Sequence, residues 1–433
     1  MPLYIPIVRL PLENCVQAWS PFHGKDATRL ENVRRLATRM VEVVFSMDIS
    51  GECPETPLRV DLDLVLACGD GNLDKVHHLI EIEGADPCYQ DLETGISVLM
   101  VAASSGHVDI VRYLLEEGAP WNAVDRKYMC AGDYAAQHGQ QACIDALLDH
   151  AVMSELLLSL TLSKKNTDED PDDHTIFMSR NPDKKTGPLA MNALYLASRL
   201  EFTPDGQRLV DKSTELAVMM DWEQPLMAKH AAWICYADQT NRPSSLRVLN
   251  VGFGMGIVDS EIQKHDPMSH VIIEAHPDVI KKMEEDGWSK KNSVSILRGR
   301  WQDVIPKLTA EIQTGALSPF DGIFFDTYAE DDLDLREFHS WLPKLLRPAQ
   351  VGSRSQGGRY SYYNGVCPDN VFFHGVACET IRLHLKRLGI DCTFEPFPVQ
   401  VSDPELWNNL SQRYWYFDTY FLPKCIFGTF ENM

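Results

Sequence analysis

No window of the 433-residue chain holds eighteen or more uninterrupted apolar residues, which excludes a hydrophobic helix of bilayer-spanning length. The opening segment, "MPLYIPIVRLPLENCVQAWS", lacks a basic region followed by a long apolar core and is not expected to act as a secretory signal. Eleven cysteines are scattered from Cys15 to Cys425 with no CxxC pair and no tight Cys/His cluster. A metal site therefore has nothing to rest on, and mostly buried thiols in a reduced intracellular compartment are expected. Positive charge is scarce: 40 Lys and Arg stand against 62 Asp and Glu, a formal net charge of -22. Such a surface repels phosphates, so direct nucleic-acid binding is not expected. The same acidity suits a basic partner, although it also serves solubility alone.

What is present is enough for two or three domains with a buried core. Residues 1–55 carry one helical pattern, "DATRLENVRRLATRMVEVVFSM", with Leu30, Val33, Leu36, Met40 and Val44 at helical spacing. Residues 56–160 repeat themselves: "ACGDGNLDKVHHLIEIEGADP", "AASSGHVDIVRYLLEEGAPWN" and "AAQHGQQACIDALLDH" align, with Gly71, Gly106 and Gly139 spaced about 34 residues apart. Each unit predicts a short helix, a glycine turn and a second helix. The pattern resembles ankyrin repeats, which stack because one repeat alone cannot bury its apolar face. The first unit lacks the usual TPLH start and the third is degenerate, as caps would be. The stack is expected to offer a protein-contact surface or simply to shield its neighbour. Residues 161–190 are polar and Pro-bearing and read as a linker.

From 191 to 433 strands and helices alternate. "RVLNVGF", "HVIIEA", "VSILRG", "FDGIFFD" and "RYSYYNG" predict strands of a doubly wound parallel sheet, and "RYWYFDTYFLPKCIFG" predicts further strands at one edge. Gly252, Gly254 and Gly256 stand where the first strand turns into a helix, and Glu274 ends the next strand, placed to accept both ribose hydroxyls of a nucleotide-like ligand. Either a dinucleotide or S-adenosylmethionine would fit such a turn, and glycines that only pack a helix onto a strand are the plain alternative. A dinucleotide fingerprint needs a third glycine where this chain has Ile257; the spacing G-x-G-x-G is the form used for S-adenosylmethionine. The loop after the third strand, with Trp301 and Gln302, is expected to line the adenine. Asp326 ends the fourth strand at the switch point where ligands bind. Glu223 precedes a helix beginning near Pro225, where an acid also suits the helix dipole.

Taken in order, "MMDWEQPLM", "VLNVGFGMGIVD", "IIEAHPDV", "GRWQD", "FDGIFFDTYAE", "YYNG" and "RYWYF" resemble the motifs of guanidinoacetate N-methyltransferase-like enzymes over residues 191 to 425. Within that group the chain is most similar to the protein arginine delta-nitrogen (type IV) methyltransferases, which carry ankyrin-like repeats before the catalytic domain. The double-Glu and Thr-His-Trp loops of the common arginine methyltransferases are absent. The resemblance implies a class I S-adenosylmethionine-dependent methyltransferase, an α/β Rossmann-like doubly wound sheet preceded by an all-α ankyrin-repeat domain. It further implies that Tyr195, Met219, the turn Phe253, Gly254, Met255, Gly256, Ile257 and Val258, then Glu274, Ala275, His276, Trp301, Gln302 and Asp326 contact S-adenosylmethionine. It makes Asp326 and Glu223 the carboxylates that hold the guanidino group, with Asn364 after the fifth strand and Arg413 and Tyr414 in an edge strand as further substrate contacts. A ribosomal protein substrate and a cytoplasmic and nuclear location are implied too. The segment Ala349 to Gln356 is an insertion relative to the family pattern.

The charged guanidinium of arginine, with a pKa near ~13, has little lone-pair density. A carboxylate pairs with its planar fork of N–H donors and accepts the proton as a C–N bond forms. Asp326 is assigned to the attacking nitrogen and Glu223 to the far side of the fork. Alternative readings are a methyltransferase for a small guanidino compound such as guanidinoacetate, which leaves the repeats unexplained, and a non-catalytic ankyrin adaptor. A nicotinamide-dependent dehydrogenase is disfavoured by Ile257.

Overall fold

The computed structural model describes residues 59–165, 188–237, 242–330, 332–349 and 357–428. The predicted helix before residue 55, most of the linker and all of the insertion but Ala349 lie outside them. The chain divides into two compact units.

The first unit contains three helix pairs: α1 (Arg59–Asp70) with α2 (Leu73–Glu81), α3 (Val98–Ser105) with α4 (Val108–Glu116), and α5 (Ala131–Gln137) with α6 (Gln141–Lys165). Local chemistry sets their ends. The Asn72 side chain caps α2 by accepting from Lys75 N at 3.0 Å, and Ser97 caps α3 by accepting from Met100 N at 3.2 Å. Gly106 ends α3 in the left-handed region at φ 82°, a conformation that only glycine adopts without strain. Leu64, Val76, Leu79, Leu99, Ile110, Leu114 and Leu147 are buried between the helices. Asp86 N donates to Asp61 Oδ1 at 2.9 Å within the first repeat, and Gln90 Nε2 crosses to Val124 O at 2.8 Å. Residues Asn370–Thr380 group with this unit. Asn370 Nδ2 donates to Asp133 Oδ2 at 2.6 Å, and Phe373 meets Trp121 edge-on at 5.8 Å.

The second unit begins with α7 (Pro188–Ala197) and a small antiparallel sheet of β1 (Leu200–Phe202), β2 (Arg208–Asp211) and β3 (Leu216–Met220). It continues through α8 (Gln224–Ile234), β4 (Arg247–Val251), α9 (Ile257–Gln263), β5 (Ser269–Glu274), α10 (Pro277–Glu285), β6 (Val294–Arg298), α11 (Trp301–Gln313), β7 (Gly322–Phe325), α12 (Asp332–Leu345), β8 (Arg359–Tyr362), the part of α13 (Val371–Arg387) from Ile381 onward, β9 (Ile390–Pro398) and β10 (Thr419–Phe427). The large sheet runs β6-β5-β4-β7-β8-β10-β9. Strands β4 to β8 pair in parallel, and β10 is antiparallel to both β8 and β9.

Alternation along the strands feeds two cores. Leu249, Val251, Ile323 and Phe325 pack with Trp301, Ile305, Phe338 and Leu342 on one face. Val248, Ile272 and Phe324 pack with Met227, Ile234, Val258 and Ile262 on the other. Burial on both faces is why these strands read as nearly unbroken apolar runs.

One topological expectation is corrected. The C-terminal strand lies inside the sheet, between β8 and β9, and the edge is β9. Strand β10 pairs with β9 along its whole length, Thr419 to Phe427 against Pro398 to Ile390, and with β8 through Cys425 opposite Tyr360. Pairing on both sides satisfies its backbone polar groups, whereas β9 carries the polar alternation of an edge.

Candidate active site

The chain runs from β4 outward to β5 and β6, then returns to place β7 on the other side of β4. The carboxyl ends of β4 and β7 therefore flank a crevice. A cavity of about 380 Å³ opens there, lined by Gly252 and Gly254 after β4, Glu274 and Ala275 after β5, Trp301 after β6, and Asp326 after β7. Its size is that of a small-molecule site.

Close packing sets the floor. Gly252 sits at φ +93°, and a Cβ there would come within 1.7 Å of the Asp326 carbonyl oxygen. Asp326 N in turn donates to Val251 O at 2.9 Å. The turn is clamped from the side by Glu274, whose Oε2 accepts from Phe253 N at 2.8 Å. Its Oε1 accepts from Ala275 N and His276 N, both at 2.7 Å. Burial pushes the Glu274 carboxyl up, and the backbone N–H donors oppose that. Two N–H donors fill the acceptor sites of Oε1, and Oε2 takes the third. The glycine floor, the Glu274 carboxylate and the aromatic walls of Tyr195 and Trp301 suit a nucleoside with a short charged arm.

Two acids share the cavity. Glu223 closes a single 3-10 turn, Asp221–Glu223, between β3 and α8, and is only 3% exposed. Its Oε1 accepts from Met220 N at 3.1 Å and from the hydroxyl of Tyr414, which itself accepts from Trp222 Nε1 at 2.9 Å. Burial, then the negative charge of Asp326, pushes the Glu223 carboxyl up to about 8, against the pull of Tyr414 and Met220 N. Burial and the charge of Asp259 raise Asp326 to about 7. Two acids that hold protons this tightly are poised for a cation to displace those protons.

The structure brings together Tyr195, Met219, Glu223, Gly254, Glu274, Ala275, Trp301, Asp326, Arg413 and Tyr414 around one cavity. Other expected contacts do not line it. Phe253 and Val258 are buried in the core with Met255 and Ile257 packed against it, and Gly256 starts α9 over the Phe253 ring. His276 is turned to Tyr195 O, 3.1 Å from its Nε2. Gln302 donates to Glu330 Oε1 at 2.9 Å. Asn364 is corrected as a cavity contact: it is fully buried, its Nδ2 donates to Phe421 O at 3.0 Å, and its N donates to the Tyr420 hydroxyl at 2.7 Å. Arg413 and Tyr414 belong to the loop before β10 and not to an edge strand.

Among the cavity residues that the sequence reading missed are Tyr328, Glu330 and Tyr363. The Tyr363 hydroxyl is buried with no hydrogen-bond partner. Burial, then the charges of Glu223 and Asp326, raise its pKa well above the usual phenol value, so it stays protonated beside them. All three sit within a few residues of a strand end already marked, which was the available signal.

Residues 208–370 match the family model described as guanidinoacetate N-methyltransferase, and residues 64–157 match ankyrin repeats in three copies. A protein arginine N-methyltransferase 2 of Aspergillus oryzae is 32% identical over 428 residues, covering 86% of this chain and 98% of the relative. That of Emericella nidulans is 34% identical over 351 residues, 73% of this chain and 77% of the relative. The Saccharomyces cerevisiae protein of the same description is 30% identical over 338 residues, 74% and 78% of the two chains. With ankyrin repeats, a seven-stranded sheet of the class I methyltransferase type and two carboxylates facing a glycine turn, the chain belongs to the protein arginine N-methyltransferase 2 family.

Proposed function

We propose that the chain methylates the delta nitrogen of an arginine in a protein substrate, with S-adenosylmethionine as methyl donor. One observation carries the reading: Glu223 and Asp326, both with raised pKa, share the cavity whose floor is the Gly252–Gly254 turn. Gly252, Gly254, Glu274 and Trp301 would hold the donor, which when bound supplies a methyl group made electrophilic by its sulfonium. Glu223 and Asp326 clamp the guanidinium fork from two sides and fix its plane. Asp326, next to the glycine turn, takes the proton from the nitrogen that becomes methylated, while Glu223, held by Tyr414, keeps the far N–H groups in register.

The substrate class follows from charge and architecture. A net charge of -22 favours a basic protein, and ankyrin repeats suit protein contact. A ribosomal protein, met in the cytoplasm or nucleus, fits both.

The test is incubation of purified enzyme with labelled S-adenosylmethionine and total protein, followed by hydrolysis and fragmentation of the methylated arginine in the mass spectrometer. A delta-monomethyl signature on a basic protein is expected. Label confined to a small guanidino metabolite would move the assignment to that substrate class. Binding of the donor with no label anywhere would favour a non-catalytic adaptor.

A further inference from the structure

The third ankyrin-like repeat departs from the other two at one buried position. Seven residues before the turn glycine, the first two repeats carry Leu64 and Leu99, both buried, and the third carries Gly132. The space is filled from elsewhere in the chain: a Cβ at Gly132 would come within 2.1 Å of the Phe372 ring. Phe372 lies in the first turn of α13, within the segment Asn370–Thr380 that groups with the repeats. Asn370 does two things with one amide. Its Oδ1 accepts from Phe373 N at 2.9 Å and caps α13. Its Nδ2 donates to Asp133 Oδ2, on the residue after Gly132, at 2.6 Å. Asn370 is 9% exposed, so losing that partner would strand a buried donor.

Two residues back along the chain is Pro368, which lines the cavity with Tyr363 and Gly365 of the same loop. The Pro368 carbonyl accepts from Tyr416 N at 3.1 Å. Tyr416 lies two residues beyond Tyr414, whose hydroxyl donates to Glu223. One backbone hydrogen bond and two short steps of chain thus connect the amide held by Asp133 to an acid of the cavity.

We infer that Asn370 is a positioning residue: anchored by Asp133 and by the seating of Phe372 on Gly132, it sets the loop from Tyr363 to Pro368 and, through Pro368 and Tyr416, the loop that holds Tyr414 on Glu223. The last repeat therefore shapes the site, whatever partner the repeats contact. The consequence for turnover rests on the arginine-binding role proposed for Glu223; the structural coupling does not.

The test is hydrogen exchange by mass spectrometry on the full chain, joined to calorimetry of S-adenosylhomocysteine and label transfer from S-adenosylmethionine to total protein. Asn370→Asp keeps an acceptor for the α13 cap but sets a carboxylate against Asp133. It is expected to speed exchange of the Tyr416 amide, read in a peptide of residues 412–417, by about tenfold or more, and to cut label transfer by a similar factor. Binding of S-adenosylhomocysteine and exchange in β4 and β5 should not change, which a general loss of stability would not permit. Adding Asp133→Asn restores a donor facing an acceptor and should return exchange and transfer to wild-type levels. Gly132→Ala presses on Phe372 while leaving both hydrogen-bonding partners in place, and should act in the same direction as Asn370→Asp; it decides alone if Asn370→Asp fails to fold. Faster exchange confined to residues 370–380, with the Tyr416 amide protected as in the wild type, would overturn the inference. So would unchanged label transfer from a variant whose Tyr416 amide is exposed. Wild-type protein that binds S-adenosylhomocysteine and labels nothing would instead overturn the methyl-transfer reading, and the exchange comparison would still decide the coupling.

Discussion

The hydroxyl of Tyr414 donates to Oε1 of Glu223 across 191 positions of sequence. This contact joins the loop before β10 to the turn before α8, and Trp222 completes it by donating to Tyr414 from its indole nitrogen at 2.9 Å. It holds one of the two acids of the site from behind. Tyr414→Phe is expected to raise KM for the arginine substrate by about tenfold while leaving binding of S-adenosylhomocysteine unchanged. Because the tyrosine bond lowers the Glu223 pKa, the variant's pH profile should move to higher pH. An unmoved profile with a simple drop in melting temperature would mark Tyr414 as structural only.

Asp326→Asn keeps the shape of the side chain and removes its charge. Turnover is expected to fall by about 10²–10⁴-fold, with cofactor affinity altered far less. Parallel loss of both in steady-state kinetics and calorimetry would confine Asp326 to the cofactor.

Free enzyme with Asp326 near 7 and Glu223 near 8 carries protons at the site in neutral solution. An arginine cation lowers both pKa values on binding, so binding releases protons. Affinity for a substrate peptide should therefore rise with pH, by about tenfold or more between pH 6 and 8, and level off above the Glu223 value. The stability of the unliganded protein should run the other way. These carboxyls titrate higher in the folded than in the unfolded state, so stability is fullest below the unfolded carboxylate values. It is lost as pH rises from there through 7 and 8. Thermal melts and peptide titrations across pH 5 to 9 check both slopes.

Both glycines have a positive φ, but Gly252→Ala puts a Cβ into the Asp326 backbone carbonyl at 1.7 Å, whereas Gly254→Ala meets the side-chain sulfur of Met219 at 2.9 Å. The first should cost about 3 kcal/mol or more and abolish cofactor binding, and the second only about 1–2 kcal/mol. Denaturant unfolding and calorimetry would show the contrast, and equal effects would contradict the close approach at Gly252.

Asn364→Ala removes a buried hydrogen bond to Phe421 O and should destabilise by about 1–3 kcal/mol with KM for substrate unchanged. A selective rise in KM would return Asn364 to the site.

Local patterns decided much of this protein. Repeats with a glycine at each helix turn specify stacked helix pairs, because the helix period and the left-handed turn are properties of neighbouring residues. Five apolar runs flanked by turns specify parallel strands, and the acids and glycines at their ends fall at the switch point by topology alone. Glu274 and Asp326 were legible for that reason, and Glu223, in the turn between β3 and α8, only through the family resemblance. What a side chain faces at the end of its strand was not, because that depends on partners remote in sequence. Asn364 turns into the sheet since β10 inserts beside β8 and offers it Phe421 O. Tyr363, one residue earlier, faces the cavity. Only the tertiary structure brought Tyr414 onto Glu223 and set Glu330 against Trp301 and Gln302. Those contacts hold together loops that no local pattern relates, and burial, not chain proximity, gives them their strength.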